Sequence, residues 1–399
     1  MRGISFAVFM LSALPLGAQT AALSDAGLQE WISAFKLKAV AAGIEPVFYD
    51  SAMDDVRFAP KVVERDRNQS EFTKTIWDYL STAVSDQRVS NGKAALKREE
   101  KALKAIETRY GVPAEIVTAI WGLESAYGTF RGSDPILNSM ATLAYDARRA
   151  AFFEEQVIAA LKILQDGDTS AVALRGSWAG AMGHTQFMPS SFIDHAVDWT
   201  GDGKRDIWGD DPRDALASTA SYLKENGWIS GQPWGVEVHV PDGFDYRLAS
   251  RDKLKSPADW AALGVLSVDG TAVPDHGLAA ILLPAGAQGA AFMIFENFRV
   301  LETYNTADAY VIAVGHLADR IGGAGPFKGD WPRGDRALTY DERIELQKLL
   351  TAQGFDTQKI DAKIGPLTIN ALRNWQVSQG HVPDGYASLR MLELIRSAG

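Results

Sequence analysis

The chain has 399 residues, enough for two or three domains at roughly 150 residues each. Its net charge of −10 argues against an extended nucleic-acid surface, which needs clustered Lys and Arg. With no cysteine, disulfides, thiolate nucleophiles, Fe–S clusters and a lipid-modified N-terminal Cys are excluded; the six His include no i, i+4 pair, which excludes a HExxH metalloprotease.

Residues 1–22 have the layout of a secretory signal peptide: Arg2, an apolar run from Ile4 to Leu16, then small residues with cleavage expected between Ala18 and Ala22. The alternative is an uncleaved anchor. No later stretch reaches about 18 uncharged apolar residues, so the mature chain is expected without a transmembrane segment. An exported, cysteine-free, acidic chain fits a bacterial periplasm.

The spacing of Leu28, Trp31, Ile32, Phe35 and Leu37 predicts a helix within 24–50, with Gly43 and Pro46 as stops. Residues 70–122 read as helical, with Phe72, Ile76, Tyr79 and Leu80 on one face and a lysine-rich helix over about 93–109. Further helices are expected at 113–127, 148–165, 213–226 and 306–321. Between about 230 and 300 the texture changes: WGVEVHV alternates at period two, and LAAILLPAG and AAFMIFENF are β-like. Residues 322–337, rich in Gly and Pro, read as a linker. Residues 338–399 show three helix-like segments (339–353, 365–379, 386–397) with a core of Leu346, Leu349, Leu350, Ile369, Leu372 and Trp375. The fold class is therefore mainly α: a helical domain over 23–321 with a small β-rich insertion, plus a small three-helix C-terminal module.

One carboxylate stands out. In helix 113–127 the apolar stripe runs Val117, Ile120, Trp121 and then reaches Glu124, with no Lys or Arg at i±3 or i±4. A carboxyl facing an apolar wall has a raised pKa, the state a general acid needs near neutral pH. A solvated or distantly paired Glu at the rim is the competing interpretation. No G-x-S-x-G supports a serine hydrolase, and GGAGPFKG lacks the GK[ST] of a P-loop.

The segments WGLESAYGTFRG (121–132), RGSWAGAMGHTQFMPSSF (175–192) and WTGDGKRDIW (199–208) resemble, in order and spacing, the B-type family of bacterial lytic murein transglycosylases. The resemblance implies a lysozyme-like helical catalytic domain with Glu124 as the single acid/base. The implied reaction cleaves the MurNAc–GlcNAc β-1,4 bond of peptidoglycan without water. The muramoyl acetamido group assists, and 1,6-anhydroMurNAc ends result. Ser177, Gln186 and Phe187 lie in the Gly-rich stretch where backbone can approach a ligand. Tyr222, Tyr304, Asn305 and Tyr310 fall at the family's cleft positions. Arg148 and Arg149 are candidates for the lactyl or peptide carboxylate of the muramoyl unit. No cofactor is required. Asp198, Thr200, Asp202 and Gly203 read as the opening of an EF-hand-like loop, with the Lys204 carbonyl and Asp214 completing a candidate structural Ca2+ or Na+ site. In the tail, LQKLLTAQGF and IDAKIGPLTINALRNWQ resemble the small three-helix peptidoglycan-binding module, so glycan strands are the expected partner and nucleic acid is not. A hydrolytic lysozyme-type muramidase and a non-catalytic wall-binding protein remain the alternatives.

Overall fold

The computed structural model describes residues 23–67 and 74–398. The leader segment 1–22 and Phe72 lie outside the described residues. The Ser24 hydroxyl accepts the Gly27 N–H and caps the helix Asp25–Ala41, which buries Leu28, Ile32, Phe35 and Ala39 along one stripe. Pro46, expected as a stop, instead opens the next helix, Pro46–Met53, where its missing N–H costs nothing. These two helices pack with Ile136–Tyr145 and Ala150–Gln165 into one hydrophobic core, whose far side is closed by Met182, Phe187 and Phe192.

A second core is organised by the helix Ala114–Ser125. Val117, Ala119 and Ile120 are fully buried and Trp121 nearly so, so this helix is enclosed on every side and not merely amphipathic. Each such aliphatic side chain contributes roughly 1.5–3 kcal/mol of burial free energy. Around it pack Asp86–Arg98, Glu100–Tyr110, Arg213–Glu225 and Asp308–Ile321. The lysine-rich segment expected as one helix is two, broken at Glu99. There the chain turns so that both pieces reach the central helix.

The β-rich insertion is an antiparallel four-stranded sheet in the order Leu266–Ser267, Gly235–His239, Ala291–Ile294, Ala280–Leu282. Gly235 pairs with Ile294, and Ile281 with Met293. The run AAFMIFENF is strand only to Ile294. Glu296 then starts the helix Glu296–Tyr304, which carries the chain back to the second core. The C-terminal helices Tyr340–Ala352, Pro366–Ser378 and Leu389–Ser397 enclose Leu346, Leu350, Leu372 and Trp375.

Residues 322–337 are not a free tether. Phe327 stacks flat on His316, with ring centres 3.7 Å apart, and meets Phe292 edge-on. The Glu237 carboxylate accepts the backbone N–H of Lys328 at 2.9 Å and of Gly329 at 2.6 Å. Trp331 lies against Trp77. The module itself docks on the insertion: Asp384 accepts the Ala287 N–H at 2.9 Å, and Arg373 donates to the Ala249 carbonyl at 3.3 Å. Glu237→Ala strips the partners from these backbone donors at a cost of about 1–3 kcal/mol. A lowered Tm and new proteolytic cleavage within 322–337 are expected; unchanged cleavage would show that the carboxylate does not hold the segment.

Candidate active site

Glu124 stands on the last turn of Ala114–Ser125, and the chain leaves that turn through three consecutive left-handed residues, Ala126 (φ 49°), Tyr127 (φ 60°) and Gly128 (φ 87°). Two of them carry side chains, so the turn costs free energy that the surroundings must offset. The compensation is visible. The Ser125 hydroxyl donates to the His184 carbonyl and accepts the Gly128 N–H at 2.9 Å. The Tyr127 hydroxyl donates to the Arg88 carbonyl at 2.7 Å. Glycine is required at two points: a Cβ on Gly122 would lie 2.5 Å from the Tyr127 ring, and one on Gly128 would lie 2.6 Å from the His184 ring.

The Glu124 side chain is half-buried, and Oε1 accepts the Tyr310 hydroxyl at 2.5 Å. Burial pushes its pKa up to about 7, against the opposing pull of the Tyr310 hydrogen bond. Neither a cation nor a second carboxylate is among the groups that set its acidity. Besides burial, the Glu124 charge raises the pKa of Tyr79, Tyr304 and Tyr310, so three phenol rings surround one carboxyl. The Tyr304 hydroxyl donates to the Thr185 carbonyl at 2.6 Å, and the Tyr222 hydroxyl to the Thr303 carbonyl at 2.7 Å. The Tyr222 and Tyr304 rings meet edge-on at 5.1 Å. Both side chains touch both hydrophobic cores, so the carboxyl opens onto the seam between them.

The structure therefore brings Glu124, Tyr222, Tyr304 and Tyr310 together, with the 184–186 strip alongside. Gln186 adopts a left-handed backbone (φ 57°), and its side-chain amide donates to the Gly183 and Arg131 carbonyls. Ser177 closes a turn by accepting the Ala181 N–H on its hydroxyl at 3.1 Å. Asn305 is exposed, and its Oδ1 accepts the Ala307 N–H ahead of the Tyr310 helix. Phe187 is 3% exposed and packs beneath Tyr222 and Tyr304, so it supports the cleft wall from within. Arg148 and Arg149 both bind the buried carboxylate of Asp66, at 2.5 and 2.9 Å, so their first role is to neutralise it. Sequence reasoning missed the functional placement of Tyr79, which reads as one more residue of an apolar stripe. It also passed over Trp121 and His184, whose contact joins residues 63 apart.

The acidic loop folds on its own carboxylates. Asp198 accepts the N–H groups of Gly201 and Gly203, and Asp202 that of Lys204. The Thr200 hydroxyl reaches Asp198 at 3.4 Å. Asp214, buried on the next helix, accepts the N–H groups of Trp199, Thr200 and Asp206 at 3.0 Å each. Carboxylate oxygens of Asp198, Asp202 and Asp214 lie within 4.8 Å of one another. Such a cluster of hard oxygen donors suits Ca2+.

A lone high-pKa carboxyl in an aromatic seam between two helical cores is an arrangement suited to general-acid chemistry of the lysozyme-like kind. Residues 27–319 match the transglycosylase SLT domain, and residues 339–395 match the peptidoglycan binding domain family. SltB3 from Pseudomonas aeruginosa, solved in complex with NAG-anhNAM-pentapeptide, is similar at 47% identity over 92% of this chain and 99% of that one, with a TM-score of 0.89. The Escherichia coli lytic transglycosylase Slt35, solved in complex with calcium, shares 29% identity over 75% of this chain and 93% of that one, with a TM-score of 0.62. Membrane-bound lytic murein transglycosylase B of Escherichia coli is 33% identical over 61% of this chain and 66% of its own length, just under two thirds of it. The chain belongs to the lytic murein transglycosylase family, with a helical, lysozyme-like catalytic domain and a peptidoglycan-binding module at its C-terminal end.

The raised pKa of Glu124 has a stability consequence. In the unfolded chain a Glu loses its proton near ~4.3, while the folded protein keeps it to about 7. The folded state thus binds more protons across this interval, and stability falls as pH rises through it. Glu124→Gln removes that loss, so the variant should melt above the parent at pH 8 and close to it at pH 4. Equal Tm differences at both pH values would show that the carboxyl is not held neutral by burial.

Proposed function

We propose that Glu124 protonates the glycosidic oxygen between N-acetylmuramic acid and N-acetylglucosamine, and then as carboxylate takes the proton from the muramoyl C6 hydroxyl. That hydroxyl attacks C1 as the glycosidic bond breaks, and a 1,6-anhydro end forms with no water consumed. The substrate's 2-acetamido group stabilises the positive C1, so a second protein carboxylate is not needed; two-carboxylate glycosidases differ in this respect. The observation that carries the reading is Glu124 itself: one carboxyl, raised to about 7, with no charged partner. Protonated, it serves as the acid; its pKa near neutrality suits the return step as base. Tyr79, Tyr222, Tyr304 and Tyr310 build an aromatic wall that keeps water from C1. Gln186, Ser177 and Asn305 border it with amide and hydroxyl groups for the acetamido and peptide units. Arg148 and Arg149 keep half-exposed guanidinium groups after sharing Asp66, enough to meet a peptide carboxylate.

The module at 338–399 raises the local concentration of wall polymer at this cleft. Residues 1–22 act as an export signal, which places the mature enzyme in the periplasm; among the described residues no helix is long and apolar enough to cross a membrane. Asp198, Asp202 and Asp214, with Thr200 and the Lys204 carbonyl, hold a structural Ca2+ or Na+ that neutralises their mutual repulsion.

Mass spectrometry of muropeptides released from purified sacculi tests the chemistry. Products one water lighter, without a reducible end, are expected, and Glu124→Gln should lower turnover at least about a thousandfold. Reducing ends would instead identify a muramidase on the same site, and full activity of the variant would remove Glu124 from the mechanism. For the loop, millimolar Ca2+ should raise Tm in the parent and not in Asp198→Asn/Asp202→Asn. No calcium response in the parent would dismiss the cation.

A further inference from the structure

His184 takes no part in the chemistry above, yet its ring is 3% exposed and sits between the glutamate helix and the end of the aspartate-rich loop. Trp121 Nε1 lies 3.1 Å from Nδ1, and the Gly209 carbonyl oxygen lies 2.8 Å from Nε2. An indole N–H only donates and a carbonyl only accepts, so Nδ1 is the acceptor and Nε2 carries the proton. The backbone of the same residue adds two further ties. Its N–H donates to the Ile207 carbonyl at 3.0 Å, and its carbonyl accepts the Ser125 hydroxyl. Trp121 stands three residues before Glu124 and Ser125 one after it. A single residue thus grips the helix on both sides of the acid and joins it to residues 207–209. Arg131 donates to the Trp208 and Gly209 carbonyls and steadies the far end of the joint.

We propose that His184 is a positioning residue for Glu124: its neutral ring, clamped between Trp121 and the Gly209 carbonyl, sets where in the cleft the acid stands. The proposal rests on Glu124 being the acid. His184 touches no substrate and acts through Trp121 and Ser125. A second ring proton would set two donors against each other at Trp121, so the joint works only with the neutral ring. The charged groups acting on that ring are Arg131, Asp206 and Asp210, with Asp211 also coupled to it. Those facing Glu124 are Tyr310, Tyr304 and Tyr79.

The test compares His184→Leu, His184→Asn, Trp121→Phe and the His184→Leu/Trp121→Phe double variant in the full chain. Each is assayed for kcat, KM and the pH dependence of kcat per folded molecule. Small displacements of a catalytic group cost up to about a hundredfold in rate. His184→Leu should lower kcat about tenfold or more, with KM within about twofold and the basic limb of the pH profile displaced. His184→Asn, which can still offer an acceptor to the indole, should recover part of the loss. Trp121→Phe keeps an aromatic ring but removes the indole N–H and should act in the same direction. The double variant should lose no more than the worse single variant. An unchanged kcat and pH limb in His184→Leu, or losses that multiply in the double variant, would overturn the proposal. If His184→Leu does not fold, the kcat and pH limb of Trp121→Phe decide by the same criteria. Full activity of Glu124→Gln, by contrast, would sink the reading of the site on which this role rests, whereas loss of activity in Glu124→Gln with an unchanged His184→Leu would sink the role of the joint alone.

Discussion

Burying a carboxyl without a countercharge is unfavourable, and much of this structure is arranged around that cost at Glu124. The group is placed at the end of a well-buried helix, where, among the described residues, its hydrogen-bond partner is a phenol hydroxyl. A phenol can donate to a carboxylate without neutralising it, so the proton stays mobile near neutral pH. A lysine or arginine in the place of Tyr310 would pull the Glu124 pKa down out of the useful range.

The surrounding architecture follows from keeping that group in place. Two hydrophobic cores meet at Tyr222 and Tyr304, and at the seam between them these rings are packed on one edge and partly open on the other. The exit from the glutamate helix is strained, and the strain is offset by contacts from far along the chain: Arg88 on Tyr127, and His184 on Trp121 and Ser125. The aspartate-rich loop does similar work through the buried Asp214, whose carboxylate collects three backbone N–H groups. The segment before the C-terminal module is held by Glu237, His316 and Trp77, so the wall-binding unit is presented in one orientation.

Much of the helical order was legible in the sequence because local signals carry it. Gly43 marks a helix end by a rule that operates within a few residues, and the stripe Val117, Ile120, Trp121 shows its period directly. Glu124 was visible as a violation of its own stripe. What stayed hidden in the sequence shares a cause as well. Pro46 serves equally as a stop or a start, and only the packing of Tyr49 and Met53 decides between them. The Gly- and Pro-rich stretch at 322–337 lacks periodicity, which signals a linker, yet irregular backbone can be pinned by partners such as Glu237 that lie far away in sequence. Arg148 and Arg149 looked available because their partner, Asp66, is more than eighty residues distant.

What the sequence determined by itself was therefore most of the helical elements and the anomaly at Glu124, since these depend on residue type and short-range spacing, while the class of chemistry came with the family resemblance that its motifs carry. Only the tertiary structure decided which tyrosines face the carboxyl, that Phe187 supports the wall from within, that the arginines are committed to Asp66, and that a histidine joins the acid's helix to the aspartate-rich loop. Hydrogen bonds and ring contacts of this kind join residues tens to hundreds of positions apart. Their energies depend on distance and direction in space, which no local pattern of residues encodes.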